Sequence, residues 1–434
     1  MYQEVSNLLI FSNIKRDSIL YKMSDIFKDF STKDYDKSEL TNRIYNEIRR
    51  LLEISTDFGF DENLWHNYIT YLLISTETPF SVTCEKVGAN EGSVNILAKS
   101  DFENFYKIFN YDFSEIEEKL SIKVFDIISN YKAVKKSTLV YNANVSEKVR
   151  NLSRQLETAK SGEDFFKFVT EFYKAFGVGM YGLNKAFRIK DTNDEVSLIP
   201  INNMDTVVLD DLVGYDIQKK KLIENTEAFV KGRKANNCLL YGDSGTGKST
   251  SIKAIVNMYY NEGLRMIEIY KHQFKDLSSV IAMIKNRNYK FIIYMDDLSF
   301  EEFVIEYKFL KAVIEGGVET RPDNILIYAT SNRRHIIKET WKDRNDVEID
   351  NGIHKSDNME EKLSLVNRFG CQIYFGKPAK KEFQDIVIEL AKKNDIKLEL
   401  DELLLEANKW EIAHGGFSGR TAQQFINHCL SIAK

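Results

Sequence analysis

Gly242-Asp243-Ser244-Gly245-Thr246-Gly247-Lys248-Ser249 spaces a glycine, four variable residues and then Gly-Lys-Ser, and this octapeptide decides the fold of the half of the chain that carries it. Its glycines let backbone N–H groups turn inward around phosphates with no Cβ in the way. Lys248 then supplies a point charge to the β- and γ-phosphates, the Ser249 hydroxyl is set to ligate Mg²⁺, and a helix running on through Thr250 aims its positive end at the anion. The four fixed positions fall together by chance in roughly one such chain in a hundred. The flanks agree with the motif: Cys238-Leu239-Leu240-Tyr241 leads in as a strand, and Ile252, Ile255 and Val256 lead out at helical spacing. The pattern predicts ATP and Mg²⁺ as ligands.

On either side of this loop, strand-like runs alternate with helical stretches, as in a parallel sheet covered by helices. The strands are read as Cys238-Tyr241, Met266-Tyr270, Phe291-Met295, Ile325-Thr330 and Gln372-Phe375. After Pro378 only helical patterns remain, around Phe383-Leu390, Leu403-Trp410 and Thr421-Ile432. The first ~190 residues read as mostly helical. Apolar residues recur at helical spacing in Leu40-Ile44-Ile48-Leu51-Leu52, in Trp65-Ile69-Leu72-Leu73 and in Phe165-Phe168-Val169-Phe172-Phe176. Pro79 breaks the second of these runs. Asp101 reads as the N-cap of a helix carrying Phe102, Phe105 and Phe109, and Ala159 to Glu163 reads as a turn. The polar stretch Lys190 to Glu195, with Pro200 and Asn202-Asn203, reads as a linker. The expected fold class is therefore α/β: a five-stranded parallel sheet with helices on both faces over 205–377, a helical lid over 378–434, and a mostly helical domain over 1–195.

The Phe291-Met295 run ends in Asp296-Asp297. Carboxylates at a strand tip beside a phosphate loop suit two tasks: Asp296 holds Mg²⁺ through water, and Asp297 acts as general base toward the attacking water. Glu301 and Glu302 follow closely, within reach of the same water or as the solvated start of a helix.

With 434 residues the chain suggests two or three domains, and an apolar fraction of 43% supplies ample core. The net charge of −5 gives no broad attraction for nucleic acid or anionic membrane. No apolar run approaches the ~20 residues that span a bilayer, and the N-terminal segment is too polar for a signal-peptide core. Cys84, Cys238, Cys371 and Cys429 lie far apart with no metal-ligand spacing, which fits reduced thiols in a cytoplasmic protein. The aromatic runs Phe165-Phe166 and Phe172-Tyr173 read as core rather than a base-stacking surface, and His66, His272 and His335 stand alone. The charged segment Glu339-Glu361 reads as an insertion or mobile loop able to touch a neighbouring subunit.

From about Asp205 to Lys434 the chain resembles an AAA+ ATPase module. The phrases Asp296-Asp297-Leu298-Ser299-Phe300-Glu301, Glu315-Gly316-Gly317, Arg321-Pro322-Asp323-Asn324, Ala329-Thr330-Ser331-Asn332-Arg333-Arg334-His335 and Glu360-Glu361-Lys362-Leu363-Ser364-Leu365, with Pro79-Phe80-Ser81 and Cys84-Glu85, are similar to a bacterial family of AAA+ ATP-binding proteins of unknown function. The resemblance implies that Val208-Gly214, with Val213, packs against adenine. It implies that Asn332 reaches the γ-phosphate and the lytic water from a strand lying between the P-loop strand and the Asp296 strand. Arg420, in Gly415-Gly416-Phe417-Ser418-Gly419-Arg420, takes the place of an arginine that contacts the γ-phosphate from the lid. Arg368 takes the place of the finger that enters a neighbouring subunit's site, ahead of Arg344 and the Arg333-Arg334 pair. Two positions depart from the pattern: Asp297 stands where glutamate is common, and Asn367 stands where an aspartate precedes the finger. A homo-oligomer, hexameric by superfamily default, is the implied assembly. The implied activity is ATP hydrolysis that remodels or loads a protein or nucleic-acid partner; the alternative is a slow, ATP-gated adaptor resembling a helicase loader. A small-molecule kinase fits less well with Asn332, Arg368 and Arg420 present together.

Overall fold

The computed structural model describes residues 1–32, 34–89, 92–133, 142–190, 196–202, 204–298, 322–332 and 366–432. Two compact units divide the chain, Met1–Asn184 and Lys185–Lys434.

The described part of the first unit is helical. Its longest helix, Lys37–Phe58, is capped by Asp36, whose side chain accepts from the Glu39 N–H, and it ends at Gly59 in the left-handed conformation that glycine adopts without a Cβ clash. Pro79 opens the helix Pro79–Val87 as its first residue, where a missing N–H costs nothing, with Thr78 and Ser81 capping one another. Ser161 caps Gly162–Phe176, in the stretch read as a turn. Phe165, Phe166, Phe172 and Tyr173 are buried, as are Trp65, Phe102, Phe105 and Phe109, so these aromatics form the core. The expected N-cap at Asp101 is corrected. The helix begins eight residues earlier, at Ser93, and Asp101 sits in its interior. Its carboxylate, 0% exposed, accepts from the backbone N–H groups of Leu9 and Phe11 at 3.0 Å each. An aspartate in a helix interior is thus retained because it satisfies buried donors of a segment some ninety residues away.

The second unit holds a mixed sheet of seven strands, not five, in the order β2-β1-β4-β5-β6-β3-β7. The strands are β1 Ala186–Lys190, β2 Ser197–Pro200, β3 Cys238–Gly242, β4 Leu264–Glu268, β5 Lys290–Met295, β6 Ile325–Ser331 and β7 Cys371–Phe375. β3 to β7 are the five expected strands and all their pairings are parallel, with β4 two residues ahead of its expected start. β1 and β2 occupy residues read as the end of the helical region and the linker; they pair antiparallel with one another, and β1 adds parallel to β4. The antiparallel pair was not legible in the sequence because its two strands are too short to show an alternation of their own. The order puts β6 between β3 and β5, aligning Tyr241 with Ser331 and Met295 with Ala329. All three strands end at one edge of the sheet, where ligands of open parallel sheets bind. The P-loop helix Lys248–Tyr259 packs Ile252, Ile255 and Val256 into the core formed by Leu240, Tyr294 and Tyr328. The helices Lys380–Lys393, Leu400–Ala413 and Gly419–Ile432 pack around Phe383, Val387, Leu403 and Phe425. A helical region followed by this sheet resembles a P-loop NTPase core.

Candidate functional site

Three glycines shape the loop after β3. Gly242 has φ +129°, and a Cβ there would lie 2.2 Å from the Phe375 carbonyl oxygen of β7. Gly247 has φ +90° and immediately precedes the helix at Lys248. The loop is tied down by the Asp243 N–H, which donates to Phe375 O, and by the Asp243 carboxylate, which accepts from the Lys377 N–H at 2.9 Å. The Thr246 hydroxyl donates to Asp243 O at 2.8 Å. Lys248 is buried inside this turn, its Nζ donating to Asp243 O at 2.6 Å and to Gly242 O at 3.2 Å. Burial holds the Lys248 amine below the ordinary lysine value, against the opposing pull of Asp243, Asp297 and Asp296. An anion in the loop would give this desolvated charge a stronger partner than two neutral carbonyls.

Beside the lysine runs a continuous hydrogen-bonded chain. The Ser249 hydroxyl donates to Asp296 Oδ1 at 2.9 Å, and the Thr330 hydroxyl donates to the same oxygen at 2.6 Å. Thr330 Oγ1 accepts in turn from the Asp297 N–H at 2.9 Å, and Asn332 Nδ2 donates to Asp297 Oδ1 at 2.8 Å. Two strand ends, those of β5 and β6, and one helix start therefore meet in five side chains. Asp297 sits at φ +51°, a left-handed conformation uncommon outside glycine although aspartate tolerates it better than most, and these bonds hold it there. Partial burial works to raise the Asp296 carboxyl, but the hydroxyls of Thr330, Tyr294 and Ser249 turned toward it and the Asp297 N–H outweigh that effect, so the group lies below its usual value and is a carboxylate at neutral pH.

These groups open on a cavity of about 580 Å³. Of the residues singled out in the sequence, Gly245, Thr246, Gly247, Lys248, Ser249, Thr250, Asp296, Asp297, Asn332, Arg420 and Val213 line it. Gly242, Asp243 and Ser244 are not among the lining residues; the first two are buried beneath the loop as its scaffold. Arg420 arrives from the first turn of the last helix, its backbone N–H donating to Gly245 O at 3.2 Å, so that helix meets the loop directly. Arg368 lies two residues beyond the start of the described segment 366–432 and is not part of the lining. Glu301, Glu302, Arg333, Arg334, His335, Arg344 and the Glu339-Glu361 segment lie outside the described residues. Sequence reading did not single out Thr330, Tyr215, Ile386, Leu390 and Gln423, which also line the cavity. Thr330 could have been found, since it stands two residues before Asn332 on the strand expected beside Asp296. Ile386 and Leu390 carry no such signal, because they read only as the apolar face of a lid helix.

Ser249 Oγ and Asp296 Oδ1 form a pair of hard oxygen donors at the cavity wall. Among the described residues no group of three or more His, Cys, Asp or Glu is gathered to hold a metal ion. Two protein oxygens with room for water and phosphate fit Mg²⁺, which keeps much of its hydration, better than a metal that needs a full protein cage. No described helix is long and apolar enough to cross a membrane.

Residues 183–432 match the family described as "Protein of unknown function (DUF815)", and with more than half its length matched the chain belongs to that family. No curated protein matches it. Among solved structures it is similar to a RuvB point mutant of Thermotoga maritima, at 18% identity and a TM-score of 0.36, over 51% of this chain and 64% of that one. It is also similar to the RuvB Holliday junction branch migration motor of the same organism, at 14% identity and a TM-score of 0.32, over 51% of this chain and 71% of that one. The chain thus spans slightly less than two thirds of the first of these structures.

Proposed function

We propose that the chain is an ATPase of the AAA+ type, binding ATP with Mg²⁺ in the cavity above the Gly242–Ser249 loop. The observation that carries this reading is the unbroken chain from Ser249 through Asp296, Thr330 and Asp297 to Asn332, with buried Lys248 alongside. Lys248 exchanges its two carbonyl acceptors for β- and γ-phosphate oxygens. Ser249 and Asp296 are the residues that would hold Mg²⁺, and the ion, when bound, draws charge from the phosphate oxygens. Asp297 accepts the proton of the attacking water, and Asn332, now bonded to its carboxylate, holds that water in line. Arg420 stabilises the γ-phosphate charge from the lid. The base lies among Leu212, Val213, Tyr215, Ile386 and Leu390, the apolar part of the cavity lining.

Arg368, outside this cavity, acts in trans on a neighbouring copy, so the working form is a homo-oligomer, a hexamer by the habit of such enzymes. The work done is remodelling or loading of a protein or nucleic-acid partner. A second reading, an ATP-gated adaptor with slow turnover, is favoured by Asp297 itself. Its carboxylate is one methylene shorter than glutamate and is engaged by Asn332 at 2.8 Å. The test is phosphate release by the purified chain across a concentration series, beside Lys248→Ala and Arg368→Ala. Turnover that rises more than linearly with concentration and is lost in both variants supports the assembled ATPase. Tight binding of Mg²⁺-ATP with almost no turnover supports the adaptor. Binding that is as tight in Lys248→Ala as in the wild type sinks both.

A further inference from the structure

Tyr294, the penultimate residue of β5, is 1% exposed and belongs to the core that packs against the P-loop helix. It lies two residues before Asp296, so both side chains leave the strand on the same face. Its hydroxyl faces Ser249, Asp296 and Thr330. It nevertheless meets the geometry of a hydrogen bond with none of them and is left without a partner. Buried hydroxyls are almost always paired, and phenylalanine would fill the same space without the unsatisfied oxygen. Ser249 and Thr330 both supply donors to Oδ1 of Asp296. A metal ion drawn to Ser249 Oγ would turn that hydroxyl away from the carboxylate and remove one of the two donors.

We propose that Tyr294 is a positioning residue for the magnesium ion, its hydroxyl donating to Asp296 once Ser249 turns from that carboxylate to the metal. The inference rests on the P-loop reading above and goes beyond it. Tyr294 touches neither nucleotide nor metal; it keeps the Asp296 carboxylate oriented at the moment when its serine donor is withdrawn.

The test uses the full chain and Tyr294→Phe, with a fluorescent ATP analogue titrated in EDTA and then at increasing magnesium chloride. Circular dichroism establishes that the variant is folded. The expected result is equal analogue affinity in EDTA and a rise of about five-fold in the magnesium concentration that half-maximally tightens binding, the effect of one net hydrogen bond. Manganese with ADP, followed by electron paramagnetic resonance, should show the same loss of metal affinity without reference to turnover. An unchanged magnesium midpoint overturns the proposal. So does an equal loss with and without metal, which marks Tyr294 as packing only. Failure of the wild type to bind the analogue in a magnesium-dependent way overturns the P-loop reading, and this inference with it. A difference confined to the variant arm bears on Tyr294 alone.

Discussion

Replacing Thr330 by valine removes one hydroxyl and almost no volume from a side chain that is 2% exposed. That hydroxyl both donates to Asp296 at 2.6 Å and accepts from the Asp297 N–H at 2.9 Å. The first is a bond to a charged group; because Asp296 is exposed to the cavity, the low end of its worth applies, about 1.5 kcal/mol. The orphaned Asp297 N–H adds about 1 kcal/mol. The expected loss is about 2–3 kcal/mol, which in a unit of this size lowers the melting temperature by roughly 5–10 °C. Activity should suffer more than stability. Asp297 is held at φ +51° by this bond together with Asn332, and a carboxylate displaced by an ångström can lose about a hundred-fold in rate. Thermal melting and phosphate release would be measured on the wild type, Thr330→Val and Thr330→Ser. Serine keeps the hydroxyl and should recover most of both quantities. A valine variant that melts within about 2 °C of the wild type and turns over ATP normally would refute the bridging role of Thr330.

Gly242→Ala sets a Cβ 2.2 Å from the Phe375 carbonyl at a φ of +129°, so β7 must move away from β3; a loss of roughly 3 kcal/mol or more is expected in urea denaturation, along with nucleotide binding. Arg420→Ala should weaken ATP about ten-fold by calorimetry while leaving ADP within about two-fold, since the proposed contact is to the γ-phosphate. Arg368→Ala should bind ATP normally yet fail to hydrolyse it, and mixing it with Lys248→Ala should restore part of the turnover; no recovery in mixed assemblies argues against a finger acting in trans. In the first unit, burial against Phe109 holds the His66 imidazole below the ordinary histidine value, although Glu157 bonds it at 2.8 Å. Below about pH 6.5 the unfolded chain therefore takes up a proton that the folded one resists, and stability falls with pH. Urea midpoints between pH 6.5 and 5.5 should decline more steeply for the wild type than for His66→Leu; parallel slopes would count against this.

What the linear chain determined by itself are the features that obey local rules. Glycines at 242, 245 and 247 take positive φ because no other residue does so cheaply, and the apolar runs of β3, β5 and β6 mark buried parallel strands by composition alone. From these follow the loop, the helix behind it, and Asp296-Asp297 at a strand tip. The five-strand count failed at β1 and β2: β1 pairs with β4 across some eighty residues, β2 pairs only with β1, and segments of five and four leave no periodic trace. Asp101 failed in the same way: its place in the chain suggested a cap, and its burial against Leu9 and Phe11 made it a clamp. The tertiary structure sets the Thr330 hydroxyl between the two aspartates, because β6 enters the sheet between β3 and β5, the order the family resemblance implied, although the chain reaches it last of the three. It alone brought Arg420 onto Gly245 and faced the Tyr294 hydroxyl toward Ser249. Backbone preferences act over a few residues and are written in sequence; which side chains share an oxygen is decided by strand order and by helices packed onto the sheet from far along the chain.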